Sequence, residues 1–379
     1  MSNNSSSCQY TAFLVTERFY LVALFGTSVS LLSVVQNALL IFAMNSNRKI
    51  RHSNLLYFYV LAVVDLLMSC SYIGLMTVNV LIDNLQSVLL LRIWAKYVIQ
   101  LLTFCHSLMV VSAYIILLAS FEEFARTSLL KIRRPVQQHR GVLSVLAVVL
   151  GFAFKFSMLV EYKIEHNANC TGTMSEFQLM LSALVNNPYY SWWHYGLRHV
   201  LCVFLPYSLL FYFNLRTVFA LRSHRNFSLR LRGRSNWRRR CVRRRRCGRH
   251  LLLGSITATY FTKRLRAATR ALVVMSTLHL TSNVLNVVIT AWEHIDFASL
   301  RRFPTFYVIG VDVVSLLTVL SSALRLSVHC YCRPALRRLV RDAVTTRRLS
   351  CNGDYKRPGV NQSTTVKRHL LDDVYHDVF

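Results

Sequence analysis

The sequence predicts an all-α membrane protein: a seven-transmembrane helix bundle with a short interfacial eighth helix. Three observations point there. Seven separate stretches carry at most one charge each over ~20 or more residues, the length that crosses a ~30 Å hydrocarbon core. Over 379 residues, 54% are hydrophobic and 16% charged, and mean hydropathy is +0.36. A soluble domain carries roughly 25% charged residues. The 45 Lys and Arg residues also crowd onto one set of connecting segments. That unevenness excludes a uniformly basic nucleic-acid binder despite a net charge of +29. The apolar excess excludes disorder for most of the chain. Ten cysteines over this length are too few for a small disulfide scaffold.

The first span, 19–47, has no charge; it is too long for a signal peptide and lacks a basic leader. The second, 54–82, holds only Asp65, and the third, 97–121, holds none. The fourth, 141–160, holds Lys155, which is expected to snorkel outward, and the fifth, 189–215, holds Arg198. The sixth, 271–292, is uncharged, and the seventh, 303–324, holds Asp312. None has the ~10-residue alternation of a membrane β-barrel strand. After the seventh span, Pro334 opens an amphipathic segment. Leu336, Leu339, Val340 and Ala343 share one face, while Arg337, Arg338 and Arg341 lie opposite. Such a helix, within 330–344, is expected to lie in the membrane interface. Cys330 and Cys332 beside it are either palmitoylation sites or free cysteines.

Orientation follows from the basic residues, which favour the cytoplasmic side. The segments holding Arg48 to Arg51, Arg126 to Arg140 and Arg222 to Arg266 share one side with the C-terminal tail. That side takes the large majority of the Lys and Arg. The organisation is therefore an extracellular N-terminus at 1–18, a seven-span domain at 19–329, the interfacial helix at 330–344 and a disordered cytoplasmic tail at 345–379. The expected location is the plasma membrane, multi-pass. Sequons at Asn3, Asn4 and Asn169 fall on the outer side and are candidate glycosylation sites. The long loop 222–266 holds Arg238 to Arg240 and Arg243 to Arg246 without a single acid. It is expected to sit against anionic lipid, each charge contributing ~1 kcal/mol, rather than to bind nucleic acid.

No catalytic constellation appears: no nucleophile elbow, no HExxH, no glycine-rich phosphate loop. Cys241, Cys247 and His250 match no ordinary zinc-finger spacing. Neither enzyme activity, nor a metal, nor a cofactor is expected. Asp312, near the outer mouth of its span, is a candidate ligand contact, because acids are costly inside a membrane. Glu293, His106, Tyr195, His199 and Tyr307 are further candidates for lining an outer cavity. For each single aromatic or histidine, helix packing is the competing explanation.

Several motifs carry a resemblance. Gln36-Asn37-Ala38-Leu39-Leu40 lies in the first span, Leu61-Ala62-Val63-Val64-Asp65 in the second, and Trp94 before the third. Ser120-Phe121-Glu122-Glu123-Phe124 ends the third span, and Phe204-Leu205-Pro206 with Asn214 marks the fifth. These resemble the rhodopsin-like (class A) G-protein-coupled receptors over about residues 19–345. Ser282-Asn283-Val284-Leu285-Asn286, Trp292-Glu293 and Val319 to Leu324 look like the invertebrate FMRFamide- and myosuppressin-type neuropeptide receptors. The resemblance implies a receptor for an extracellular ligand, a peptide in that branch, signalling to a heterotrimeric G protein or arrestin.

The departures are as informative. The arginine that ends the family's third span is Glu123, and its sixth-span tryptophan and proline are Asn283 and Leu285. Its seventh-span Asn and Tyr fall on Arg325 and His329, and the third-span cysteine is missing near Val98. Cys170 is therefore expected to pair with Cys8, pair with Cys105 or stay free. In the family Asp65 would bind sodium; here Arg325 faces that place, and with Asn37 forms a candidate polar core. An Asp65–Arg325 ion pair competes with an Arg325 that snorkels to the cytoplasmic face. Glu122 and Glu123 face a sixth span preceded by Arg266 and Arg270, a reversed cytoplasmic switch. The competing arrangement pairs both glutamates with nearby loop cations such as Arg126. Two other functions stay open: a receptor that binds ligand without conventional G-protein activation, and a seven-span transporter or channel.

Overall fold

The computed structural model describes residues 8, 14–45, 55–127, 133–220, 269, 272–292, 303–332, 337, 338 and 341. Among these, seven helices are long and apolar enough to cross a membrane. They are α1 (Val15–Asn45), α2 (Leu56–Leu85), α3 (Val88–Arg126), α4 (Arg140–Glu161), α5 (Val200–Ala220), α6 (Leu272–Trp292) and α7 (Pro304–Val328). The basic loop 222–266, the tail 345–379 and most of the expected interfacial helix lie outside the described residues.

Several features depart from the sequence expectation. Helix α3 begins nine residues before the expected start at 97, because the stretch from Val88 to Lys96 continues the helical register across its two cations. The connection between α4 and α5 contains an antiparallel hairpin, β1 (Tyr162–His166) with β2 (Phe177–Leu181), Ile164 opposite Leu179. The chain turns through Gly172, whose φ of +84° is a conformation that a residue with a Cβ rarely adopts.

Helix α2 is the most enclosed of the seven. Tyr57, Phe58, Leu61, Val64 and Met68 on it pack against Leu108, Val111 and Ile115 of α3, with Met275 and Leu280 of α6 completing that core. Val22 and Val29 of α1 join Tyr72 of α2 and Val319 and Ala323 of α7 in a second cluster. Helix α4 explains itself by its faces. Val142, Val145, Leu146 and Val149 lie exposed in one stripe, as lipid contact requires. Ser144, Ala147, Gly151 and Lys155 lie buried on the other. Small residues let two backbones approach closely. A Cβ on Gly151 would overlap the Val111 side chain and crowd the α3 backbone. That same inward face carries Lys155, which is buried rather than snorkelled outward as expected.

Candidate functional site

Four helices, α3 to α6, line a partly open cavity of about 80 Å³. His106 and Met109 reach it from α3, Lys155 from α4, Tyr207 from α5, and His279 and Asn283 from α6. Its α5 wall is irregular for a local reason. The helix opens in a π-helical turn at Val200–Phe204, and Pro206, which has no N–H to donate, follows at once. Cys202, Val203 and Pro206 of that irregular stretch all line the space. Asn283 donates to the His279 carbonyl at 2.8 Å, which fixes its amide along the cavity wall.

Between α2, α3 and α7 lies a polar core. Arg325 forms an ion pair with Asp65, donates to Ser112 Oγ of α3 at 3.2 Å, and is 4% exposed. Ser322 donates to Asp65 Oδ1 at 3.1 Å. Arg325 thus turns into the bundle instead of snorkelling to the cytoplasmic face. Asn37 does not touch that pair directly; it donates to the Ser33 carbonyl at 2.9 Å. Ser69 Oγ then stands 2.8 Å from both Ser33 Oγ and the Asp65 carbonyl, linking α1 to α2.

Asp312, the expected ligand contact, faces an arginine of α1. Arg18 Nε donates to Asp312 Oδ2 at 2.8 Å, and Arg18 Nη1 to Asp83 Oδ2 at 3.3 Å. The guanidinium of α1 therefore clamps α2 to α7, and Asp312 is 2% exposed. Just before α5, Arg198 donates to Glu161 Oε1 at 2.5 Å and to Ser157 Oγ at 3.0 Å, with the Tyr190 hydroxyl 2.7 Å from Glu161. His199 precedes α5, and Tyr307 lies half-buried in the first turn of α7; neither is among the cavity's described lining residues. Glu293 and the side chain of Tyr195 lie outside the described residues.

A disulfide joins Cys8 to Cys170, with Cα atoms 5.5 Å apart; Cys105 is a free thiol on α3. The alternative Cys105 pairing is corrected accordingly. Asn169 beside the bond is exposed, whereas Asn3 and Asn4 lie outside the described residues. The turn that carries Cys170 is held by Glu176. Arg92 forks onto it, Nε to Oε1 at 3.1 Å and Nη2 to Oε2 at 2.9 Å, and the Gly172 N–H donates at 2.8 Å. Those bonds hold the Glu176 carboxyl below its usual range of about 4.5. A lowered folded-state pKa stabilises above the unfolded value and ceases to do so as pH falls through the folded value. The hairpin amides are therefore expected to lose hydrogen-exchange protection only below about pH 4.5, and Glu176→Gln should flatten that dependence. Equal pH dependence in both forms would refute the role given to Glu176.

At the C-terminal end of α3 the two glutamates part company. Glu122 accepts from Arg140 of α4, Nε to Oε2 at 2.8 Å. Glu123 pairs with Arg126 one turn on and accepts from the hydroxyl of Thr269, just before α6. Arg266 and Arg270, the expected reversed partners, lie outside the described residues. The link from Glu123 towards α6 that is described runs through a threonine hydroxyl rather than an arginine.

Sequence reasoning missed the Arg18 clamp, the Arg198–Glu161 pair and the inward Lys155. A signal was present for the last. Ser144, Ala147 and Gly151 recur at the spacing of one helix face, and Lys155 continues it. Comparison with known protein families and with curated proteins finds no match for this chain.

Proposed function

We propose that the chain is a plasma-membrane seven-helix receptor, N-terminus outside, that takes a ligand into the cavity between α3, α4, α5 and α6. The observation that carries this reading is the cavity's position. It sits among four helices whose cytoplasmic ends hold Glu122, Glu123 and Thr269, so a change in helix packing around a ligand reaches the inner surface. A ligand that prefers one packing shifts the population towards it by its differential affinity. The motif resemblance adds a G protein or arrestin as the inner partner and a peptide as the outer ligand.

The Glu123 contacts favour a second reading, a receptor that binds without conventional G-protein activation. A carboxylate engaged by Arg126 and Thr269 stands where coupling receptors of the resembled family present an arginine. Cells expressing the full chain, assayed for second messengers against an amidated-peptide library, separate the two. A dose-dependent signal selects the coupling receptor, and saturable binding with no signal selects the second. Neither binding nor signal, with ion or solute flux across proteoliposomes instead, would move the assignment to a transporter or channel.

A further inference from the structure

We infer that the cavity is built for an anion: it takes a carboxylate carried on a short apolar body, and Lys155 receives it. The argument begins from a census of buried charge. Seven carboxylates are buried among the described residues: Asp65, Asp83, Glu122, Glu123, Glu161, Glu176 and Asp312. Every one of them already faces an arginine. Arg325 takes Asp65, Arg18 takes Asp83 and Asp312, Arg140 takes Glu122, Arg126 takes Glu123, Arg198 takes Glu161 and Arg92 takes Glu176.

The cations do not balance in the same way. Three are buried: Arg198 at 3% exposure, Arg325 at 4% and Lys155 at 9%. The two arginines have their acids. Among the described residues no carboxylate pairs with Lys155, and its ammonium makes no hydrogen bond. An ammonium withdrawn from water is costly when no carboxylate touches it, and buried charges in proteins are normally paired or bound to a ligand. Glu161, whose charge reaches Lys155, is itself held by Arg198. Lys155 is not sealed in packed side chains either; it lines the cavity.

The rest of the wall agrees with an anionic guest. No acid lines the space. His106, His279, Asn283, Asn286 and Tyr207 supply polar groups, and Met109, Val203 and Val287 supply an apolar surface for a short hydrocarbon body. A single water needs roughly 10–15 Å³ of such space, so about 80 Å³ admits a guest of several heavy atoms. This conflicts with the peptide class drawn from the resemblance. An amidated C-terminus has no carboxylate to offer, and Asp312, the described acid expected to attract a basic peptide, is engaged by Arg18. The inference deepens the proposed reading and rests on this cavity being where ligand is taken up.

The same carboxylate chemistry reaches the cavity either as a small free acid or as the C-terminal carboxylate of a short peptide. The test uses the purified full chain in lipid nanodiscs. Equilibrium binding is measured for butyrate and butyramide, and for a Val-Phe dipeptide as free acid and as amide. Butyrate or the dipeptide acid is expected to bind, and the matching amide to bind at least about tenfold more weakly, the scale of one charge-assisted hydrogen bond. Lys155→Met should weaken the acid by a similar factor, while Lys155→Arg keeps most of it. Tighter binding of the dipeptide acid identifies a peptide end as the source, and tighter binding of butyrate a small free acid. An acid and amide that bind alike, an acid indifferent to Lys155→Met, or no acid binding at all would overturn the inference. The separation of the inner ends of α3 and α6, read by paired spin labels, tests the receptor reading independently. Acid binding without movement keeps the anion site and removes the receptor; movement with an amidated peptide and no acid binding does the reverse.

Discussion

Arg325→Ala is expected to remove roughly 3–5 kcal/mol of stability, the scale of stripping the partner from a buried charge. Asp65 would be left 1% exposed, between α2 and α7, with the Ser322 hydroxyl as its remaining described side-chain donor. Ser112 would lose its guanidinium as well. Denaturation of the purified protein and surface expression in cells both read this loss. The Asp65→Asn/Arg325→Asn double change removes both charges together, so it should recover much of what either single change costs. That recovery is a coupling energy, and losses that merely add in the double variant would show that the two residues act independently. On the proposed receptor reading the guanidinium takes the place that sodium holds in the resembled family, so ligand affinity should also be insensitive to sodium.

The second large effect is expected at Arg18, where α1 meets α2 and α7. Arg18→Ala would leave Asp83 and Asp312 buried near one another with their shared cation gone. Two like charges left in low dielectric cannot both stay ionised cheaply, so the thermal midpoint should fall markedly and α1 should come away from α2 and α7. Arg18→Lys should restore only part, because one ammonium cannot fork onto two carboxylates as a guanidinium does. Asp312→Asn placed into Arg18→Ala should restore more, since it removes the charge that Arg18 contacts most closely. A midpoint unchanged in Arg18→Ala would mean that the three-helix clamp contributes nothing.

The spans were legible because an apolar run of membrane length has few other uses, and each carries at most one charge that must find a place. Asp65 stood out for that reason, and Arg325 because the motif resemblance puts it where a seventh-span asparagine is expected, facing Asp65. The clamp at Arg18 was not legible. Its partners lie 65 and 294 residues away, and no local pattern marks a pairing over such distances. Lys155 was misread because a lysine in a membrane span usually reaches for water along its own stem. The valine stripe on the opposite face of α4 overrules that habit: it commits the helix to lipid on one side and turns Lys155 inward. The hairpin escaped notice because β2, Phe177-Gln178-Leu179-Met180-Leu181, lacks the alternation of a half-buried strand, and four of its five residues are exposed.

The bond between Cys8 and Cys170 bears on how the molecule is made. Four crossings separate the two sulfurs, an even number, so both belong to one side of the bilayer, and on the positive-inside orientation that side is the oxidising lumen. The intervening stretch is 162 residues long. At ~5–20 residues per second of synthesis, Cys8 waits on the order of 10–30 seconds for its partner. In that orientation it is a thiol in an oxidising compartment throughout the interval. Four helices must be threaded before the staple can close, so closure reports that the first half of the bundle has been inserted in order. Pulse-labelled chains should acquire the bond only after α4 has entered the bilayer, which makes this cysteine pair a clock for assembly as well as a brace.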